Sequence, residues 1–220
     1  ALISGLTRNY PNTMRPALQI IGLEEGVKKV AGMYLMLSKR GPLFFADTTV
    51  TFNPTEEELV DITLLTAREV EHFNIKPRIA MLSYSNYGSS DSPEAITVRN
   101  AVATLRHRYP DMIVDGELQA GVAFNRDLLR ENYPFSELVN EPPNVLIFPN
   151  LAAGNIAYHL LQEVGGAEAV GPILLGLRKP VHVLQLGSTV RQIVNMIAIS
   201  VVDAQMKSAI ADAELPFGSR

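Results

Sequence analysis

The chain has 220 residues, of which 47% are hydrophobic and 19% charged, enough to bury a sizeable core in one large domain or two smaller lobes. A net charge of −4 argues against a general nucleic-acid surface, since counterion release needs clustered lysines and arginines. With no cysteine, disulfides, thiolate metal sites and a cysteine nucleophile are excluded, and the four histidines are too dispersed to suggest a zinc cluster. No apolar run reaches spanning length and no signal peptide opens the chain, so a cytoplasmic protein is expected.

Short apolar runs alternate with amphipathic stretches, the pattern of an α/β protein with largely parallel strands. The opening Ala1-Leu2-Ile3-Ser4-Gly5 reads as the end of a buried strand, and the chain is expected to be a C-terminal piece of a longer polypeptide. Residues 14–21 follow as a helix with Pro16 in its first turn. Strands are expected over 30–37 and from Leu43 to Ala46, joined by the Lys39-Arg40-Gly41-Pro42 turn. Thr55 with Glu58 forms a capping box before a helix whose apolar face is Leu59, Ile62, Leu65 and Val70. A strand over 77–83 empties into the polar loop 83–90, and a helix runs over 93–108. Ile113-Val114 leads to Asp115-Gly116-Glu117-Leu118-Gln119, read as an exposed loop before a single helix ending near Arg130. A buried strand over 144–148 precedes a helix from about Ala153, strands follow at 169–175 and 180–184, and Ser188 opens a long last helix. One face of that helix is expected to carry Ile193, Ile197, Val201 with Val194, Ala198 and Val202.

In an open α/β sheet, ligands bind beyond the carboxyl ends of the strands. The loop 83–90, dense in hydroxyls (Ser83, Ser85, Ser89), can hold phosphate through backbone amides at a helix start, or can be a serine-rich connection with capping hydroxyls. Asn150 either meets a ligand or caps the helix behind it. Asp115 and Glu117 are either acid–base groups or solvated carboxylates. Arg8, Arg15 and Lys179 are the basic candidates, with a surface salt bridge as the plain alternative.

Collinear motifs over nearly the whole chain resemble the phosphotransacetylase (phosphate acetyl/butyryltransferase) family. They are Met14-Arg15-Pro16-Ala17-Leu18-Gln19, Phe45-Ala46-Asp47 with Asn53-Pro54-Thr55, Ala80-Met81-Leu82-Ser83-Tyr84-Ser85, Asp115-Gly116-Glu117-Leu118-Gln119 and Ile147-Phe148-Pro149-Asn150 with Gly154-Asn155. The C-terminal signature K-P-V-N-D-L-S-R-G-x-x-x-x-D-I-V aligns with Lys179-Pro180-Val181 onward, but its serine and arginine fall on Gln185 and Leu186 and its aspartate on Gln192. In the family these three groups handle the thiol of coenzyme A and the phosphate it displaces, so the scaffold is kept while the reactive groups are replaced.

The resemblance implies a two-lobed fold like that of isocitrate and isopropylmalate dehydrogenases, with residues 1–25 plus 171–220 in a partial first lobe and 26–170 in the second. The Ser4-Gly5-Leu6-Thr7-Arg8-Asn9-Tyr10-Pro11 wording is most similar to the phosphotransacetylase-like domain that follows the catalytic region in bacterial hybrid NADP-dependent malic enzymes. That likeness implies a non-catalytic regulatory domain that binds acetyl-CoA or a related CoA ester through Arg15, Arg8, Ser83, Ser85, Ser89, Asn150, Lys179 and Leu186. It further implies no cofactor in this domain, NADP and a divalent metal only in the malic-enzyme region of the same polypeptide, and a homo-oligomer dimerised through this domain. Met196 and Ile199 on the last helix are either dimer contacts or part of a helix buried within one chain. The rival expectations are an active phosphate acetyltransferase and a structural oligomerisation module.

Overall fold

The computed structural model describes residues 1–6, 10–185 and 187–214. In chain order the elements are β1 (Leu2–Gly5), α1 (Tyr10–Ile20), β2 (Ala31–Ser38), β3 (Gly41–Ala46), α2 (Glu56–His72), β4 (Ile79–Leu82), α3 (Pro93–Arg108), β5 (Val114–Leu118), α4 (Ala120–Ala123), α5 (Arg126–Asn132), β6 (Val145–Ile147), α6 (Leu151–Glu163), β7 (Glu168–Leu175), β8 (Val181–Leu184) and α7 (Val190–Glu214). They divide between two compact units, one of Ala1–Val30 with Val170–Arg220 and one of Ala31–Ala169.

In the larger unit the strands lie in the order β5-β4-β6-β3-β2. The pairs β3–β6, β4–β6 and β4–β5 are parallel, and the hairpin partner β2 is antiparallel to β3. Both faces are covered, so the central strands read as unbroken apolar runs rather than alternating ones. On one face Phe44 meets Phe73 at the end of α2, with ring centroids 5.8 Å apart. On the other, Tyr34 stacks on Tyr158 of α6 at 4.2 Å and Phe45 packs against Phe148 at 5.1 Å. The predicted capping box opens α2: Thr55 accepts from the Glu58 amide, and Glu58 accepts in return from the Thr55 amide at 2.9 Å. The expected apolar face of Leu59, Ile62, Leu65 and Val70 is buried. Since β3, β4, β5 and β6 run in parallel, the loops after them leave from one edge of the sheet.

In the smaller unit β1 and β8 form a parallel pair, Leu2 opposite Val181 through Gly5 opposite Leu184. Gly5 is required there, because a Cβ would lie 2.2 Å from the Leu184 carbonyl oxygen at a φ of +125°. Helices α1 and α7 pack on this pair. Lys207 of α7 reaches the Leu177 carbonyl at 2.9 Å and Glu24 at 3.1 Å, tying the helix to the loops before β2 and after β7.

Four local expectations change. Helix α1 starts four residues before the predicted Met14, which puts Pro16 in its second turn, where it cannot donate to the carbonyl four residues back. The segment 115–119 is not an exposed loop: β5 covers 114–118 and every residue in it is buried. The single helix expected to follow is two, α4 and α5, because the Asn125 side chain accepts from the Leu128 amide and starts a new helix. On α7 the predicted stripe faces outward, with Val194 57% exposed and Ile197 and Val201 each 48% exposed, whereas Met196 and Ile199 are buried within the chain. A hydrophobic period on a long helix marks a face without saying what lies against it.

Met196 and Ile199 therefore belong to the core of this unit and are not free to make a dimer. Met196→Glu should cost about 3–5 kcal/mol by burying an unpaired charge. Val194→Glu, on the exposed side of the same helix, should shift stability by roughly 0.5 kcal/mol or less. Urea midpoints of the two variants read the difference; equal midpoints would contradict the burial.

Candidate functional site

The loops leaving the carboxyl edge of the larger sheet are each held by a side-chain acceptor. After β3, the Asp47 carboxylate collects four backbone amides, from Gly32 (3.1 Å), Thr49 (2.8 Å), Val50 (3.1 Å) and Thr51 (2.9 Å). Burial pushes its carboxyl above the ordinary value while the four donors pull it down. After β6, Asn150 accepts from the Ala153 amide at 2.9 Å and caps α6. Gly154 in the first turn of that helix lets it approach the first loop, since a Cβ would sit 2.8 Å from the Asp47 carbonyl oxygen.

The loop after β4 is organised from β5. The register of β5 to β4 shifts between Met81 and Leu82, so Glu117 is an extra residue in the strand, yet Asp115 and Glu117 are both fully buried and both meet α3. Arg99 and Arg106, two helical turns apart on α3, face them. Arg99 bonds Glu117 through Nε and Nη2, each at 3.1 Å, and Arg106 Nη2 reaches Asp115 at 2.6 Å. The intervening Gly116 (φ +143°) turns its missing side chain toward β4, where a Cβ would lie 2.6 Å from the Met81 carbonyl oxygen. Glu117 also accepts from the Ser85 hydroxyl at 2.7 Å and the Gly88 amide at 2.9 Å, so a carboxylate inside the sheet shapes the serine loop outside it. Burial raises its carboxyl, but Arg99, the Gly88 amide and Ser85 together outweigh that and hold it below the ordinary glutamate value. Asp115 accepts from Tyr87 at 2.9 Å and from Ser136. The Tyr87 phenol is pushed up, by burial first and the Asp115 charge after it, and stays a neutral donor.

In the smaller unit Gln185 follows the end of β8 and Gln192 lies in the first turn of α7. Ser188 donates to the Gln185 carbonyl through its amide (3.2 Å) and its hydroxyl (2.8 Å). Thr189 and Gln192 then make a second capping box: the Gln192 side-chain oxygen accepts from the Thr189 amide at 2.8 Å, and the Thr189 hydroxyl accepts from the Gln192 amide at 3.2 Å.

Residues 1–201 match the model of the family described as phosphate acetyl/butaryl transferase. The chain belongs to this family. It is 42% identical over 207 residues to the NADP-dependent malic enzyme of Haemophilus influenzae, covering 94% of this chain and 27% of that protein. To the phosphate acetyltransferase of Bacillus subtilis it is 39% identical over 203 residues, covering 92% of this chain and 62% of that one. Among solved structures, a phosphotransacetylase from Streptococcus pyogenes superposes with a TM-score of 0.86 at 37% identity, over 93% of this chain and 62% of the other. The chain thus spans about a quarter of the malic enzyme and under two thirds of the transferases.

Within this phosphotransacetylase-like scaffold the expected ligand residues fall in different settings. Ser85 is buried and its hydroxyl is engaged inside the loop, by Glu117, Ser89 and the Ser90 amide. Ser83 is half-buried and accepts from the Ser85 amide at 3.2 Å, while Ser89 is exposed and accepts from the Asn86 amide at 2.9 Å. These serines and Asn150 lie on loops of one sheet edge, so one unit brings them together. Arg15 and Lys179 are exposed in the other unit, on α1 and just before β8. Gln185 is exposed at the end of β8. Arg8 and Leu186 lie outside the described residues. Asp115 and Glu117, expected on an exposed loop, are instead buried carboxylates bonded to Arg106 and Arg99. Sequence reasoning missed Arg99 and Arg106; their spacing of seven on a helix, opposite an acid pair spaced by two, was the available signal.

Glu117→Gln should lower the melting temperature at pH 7 by several degrees, because the uncharged amide weakens the Arg99 and Gly88 bonds. A carboxyl held below its ordinary value stabilises the fold above about pH 4.3 and loses that contribution as pH falls through the folded value. The acid limb of a melting-temperature profile should therefore be shallower in the variant. An unchanged limb would mean that Glu117 is not ionised in the folded protein.

Proposed function

We propose that this chain is a non-catalytic, acetyl-CoA-sensing domain of a longer polypeptide of the malic-enzyme type. One observation carries the reading: Gln192, at the position where the family signature has aspartate, spends its side-chain oxygen closing the cap of α7 on the Thr189 amide. An amide has no titrating proton acceptor near neutral pH, so it cannot take the proton of a thiol as a general base would. Leu186 brings no charge to stabilise a departing phosphate. Loss of such groups together costs orders of magnitude in rate. The malic enzyme of Haemophilus influenzae, at 42% identity, supports the regulatory setting. Acetyl-CoA would then meet Arg15, which is exposed on α1. In the parent polypeptide its binding would restrain malate decarboxylation.

The second reading, an active phosphate acetyltransferase, draws on the Bacillus subtilis relative at 39% identity. A single set of measurements separates the two. With acetyl-CoA and phosphate the purified protein should form no acetyl phosphate, yet acetyl-CoA should raise its melting temperature, as any ligand that prefers the folded state does. Arg15→Ala should weaken that binding by about 1.5–3 kcal/mol, the loss of a charged hydrogen bond. Turnover on the order of 1–1000 per second would establish the transferase instead. Absence of calorimetric binding at millimolar acetyl-CoA would leave a structural module.

A further inference from the structure

The serine loop after β4 spends its backbone donors on itself. Every amide from Ser85 to Ser90 donates within the loop or to β5. Ser85 donates to the Ser83 hydroxyl, Asn86 to the Ser89 hydroxyl and Ser90 to the Ser85 hydroxyl. Tyr87 donates to the Glu117 carbonyl, Gly88 to the Glu117 carboxylate and Ser89 to the Asn86 carbonyl. An anion cradle needs amides aimed at the ligand, and this stretch has none to spare. The neighbouring Asp91 carboxylate, 95% exposed, adds a negative charge beside the loop. The phosphate grip expected of these amides from the sequence is therefore not available.

The hydroxyls of the loop have a direction. A carboxylate only accepts, so the Ser85 proton goes to Glu117 at 2.7 Å. The 3.1 Å contact between Ser85 and Ser89 then has Ser89 as its donor. Ser89 is exposed, its proton is turned inward, and the Asn86 amide occupies one of its lone pairs. What it keeps for a ligand is an acceptor. The loop is held in this form against local preference: Tyr87 has a φ of +45°, uncommon for a bulky residue, and its phenol is tied to Asp115 at 2.9 Å. It also leaves the carboxyl edge of a parallel sheet, where such folds bind ligands. We infer that Ser89 is a specificity-determining residue, which accepts a hydrogen bond from an uncharged N–H group of the ligand. The inference rests on the acetyl-CoA reading. In that molecule the pantetheine arm carries amide N–H groups and no charge, while the nucleotide end carries the phosphates, so this loop takes the arm.

The test is a calorimetric titration of the purified protein with acetyl-CoA and, in parallel, with ADP, which has the nucleotide and phosphates but no arm. Ser89→Ala should weaken acetyl-CoA about fivefold, the loss of one neutral hydrogen bond. Ser89→Thr, which keeps the hydroxyl, should restore the original affinity, and neither variant should alter the binding of ADP. Acetyl-CoA affinity unchanged in Ser89→Ala overturns the inference alone, as does a Ser89→Thr variant as weak as Ser89→Ala. ADP weakened in the same proportion overturns it too, assigning the loop to the nucleotide end. Should the original protein bind no ADP on its own, the Ala and Thr variants decide with acetyl-CoA. Absence of acetyl-CoA binding to the original protein overturns the inference together with the reading beneath it.

Discussion

Two carboxylates side by side on one buried strand set the terms for the larger unit. Asp115 and Glu117 are fully buried, and charges in that position persist only where they are paired and hydrogen-bonded. The pairing fixes α3, because Arg99 and Arg106 must present to the strand along one helical face. It fixes the serine loop, because Glu117 still has room for the Ser85 hydroxyl and the Gly88 amide. It fixes Gly116 as glycine, since β4 passes too close for a side chain. A motif that reads as surface chemistry is thus the internal brace of the surface next to it.

The same logic governs the other sheet-edge loops. Asp47 gathers four amides and Asn150 caps α6, so the polar side chains nearest the strand ends are mostly engaged in shaping backbone. A ligand at this edge would meet exposed groups such as Ser89, and backbone amides, rather than the buried Ser85. Gln192 repeats the pattern in the smaller unit, where its side chain closes a helix cap. Family membership and local geometry therefore answer separate questions. The first follows from motifs spread over residues 1–201, and the second from what each side chain at those motifs bonds to.

Much of the architecture was legible in the sequence. The Thr55–Glu58 box, the Pro93 helix start and the apolar strands are decided by contacts a few residues apart, and local spacing reports them faithfully. The motifs likewise gave the family before any coordinates. What the sequence could not determine depended on partners far along the chain. Asp115 and Glu117 read as solvated because Arg99 and Arg106 belong to the preceding helix, and only the packing of α3 on β5 brings the charges together. The apolar stripe of α7 was visible as a period, but periodicity fixes only relative angles around a helix axis. Which side is buried was decided by where β1 and β8 lie, and they took Met196 and Ile199 instead.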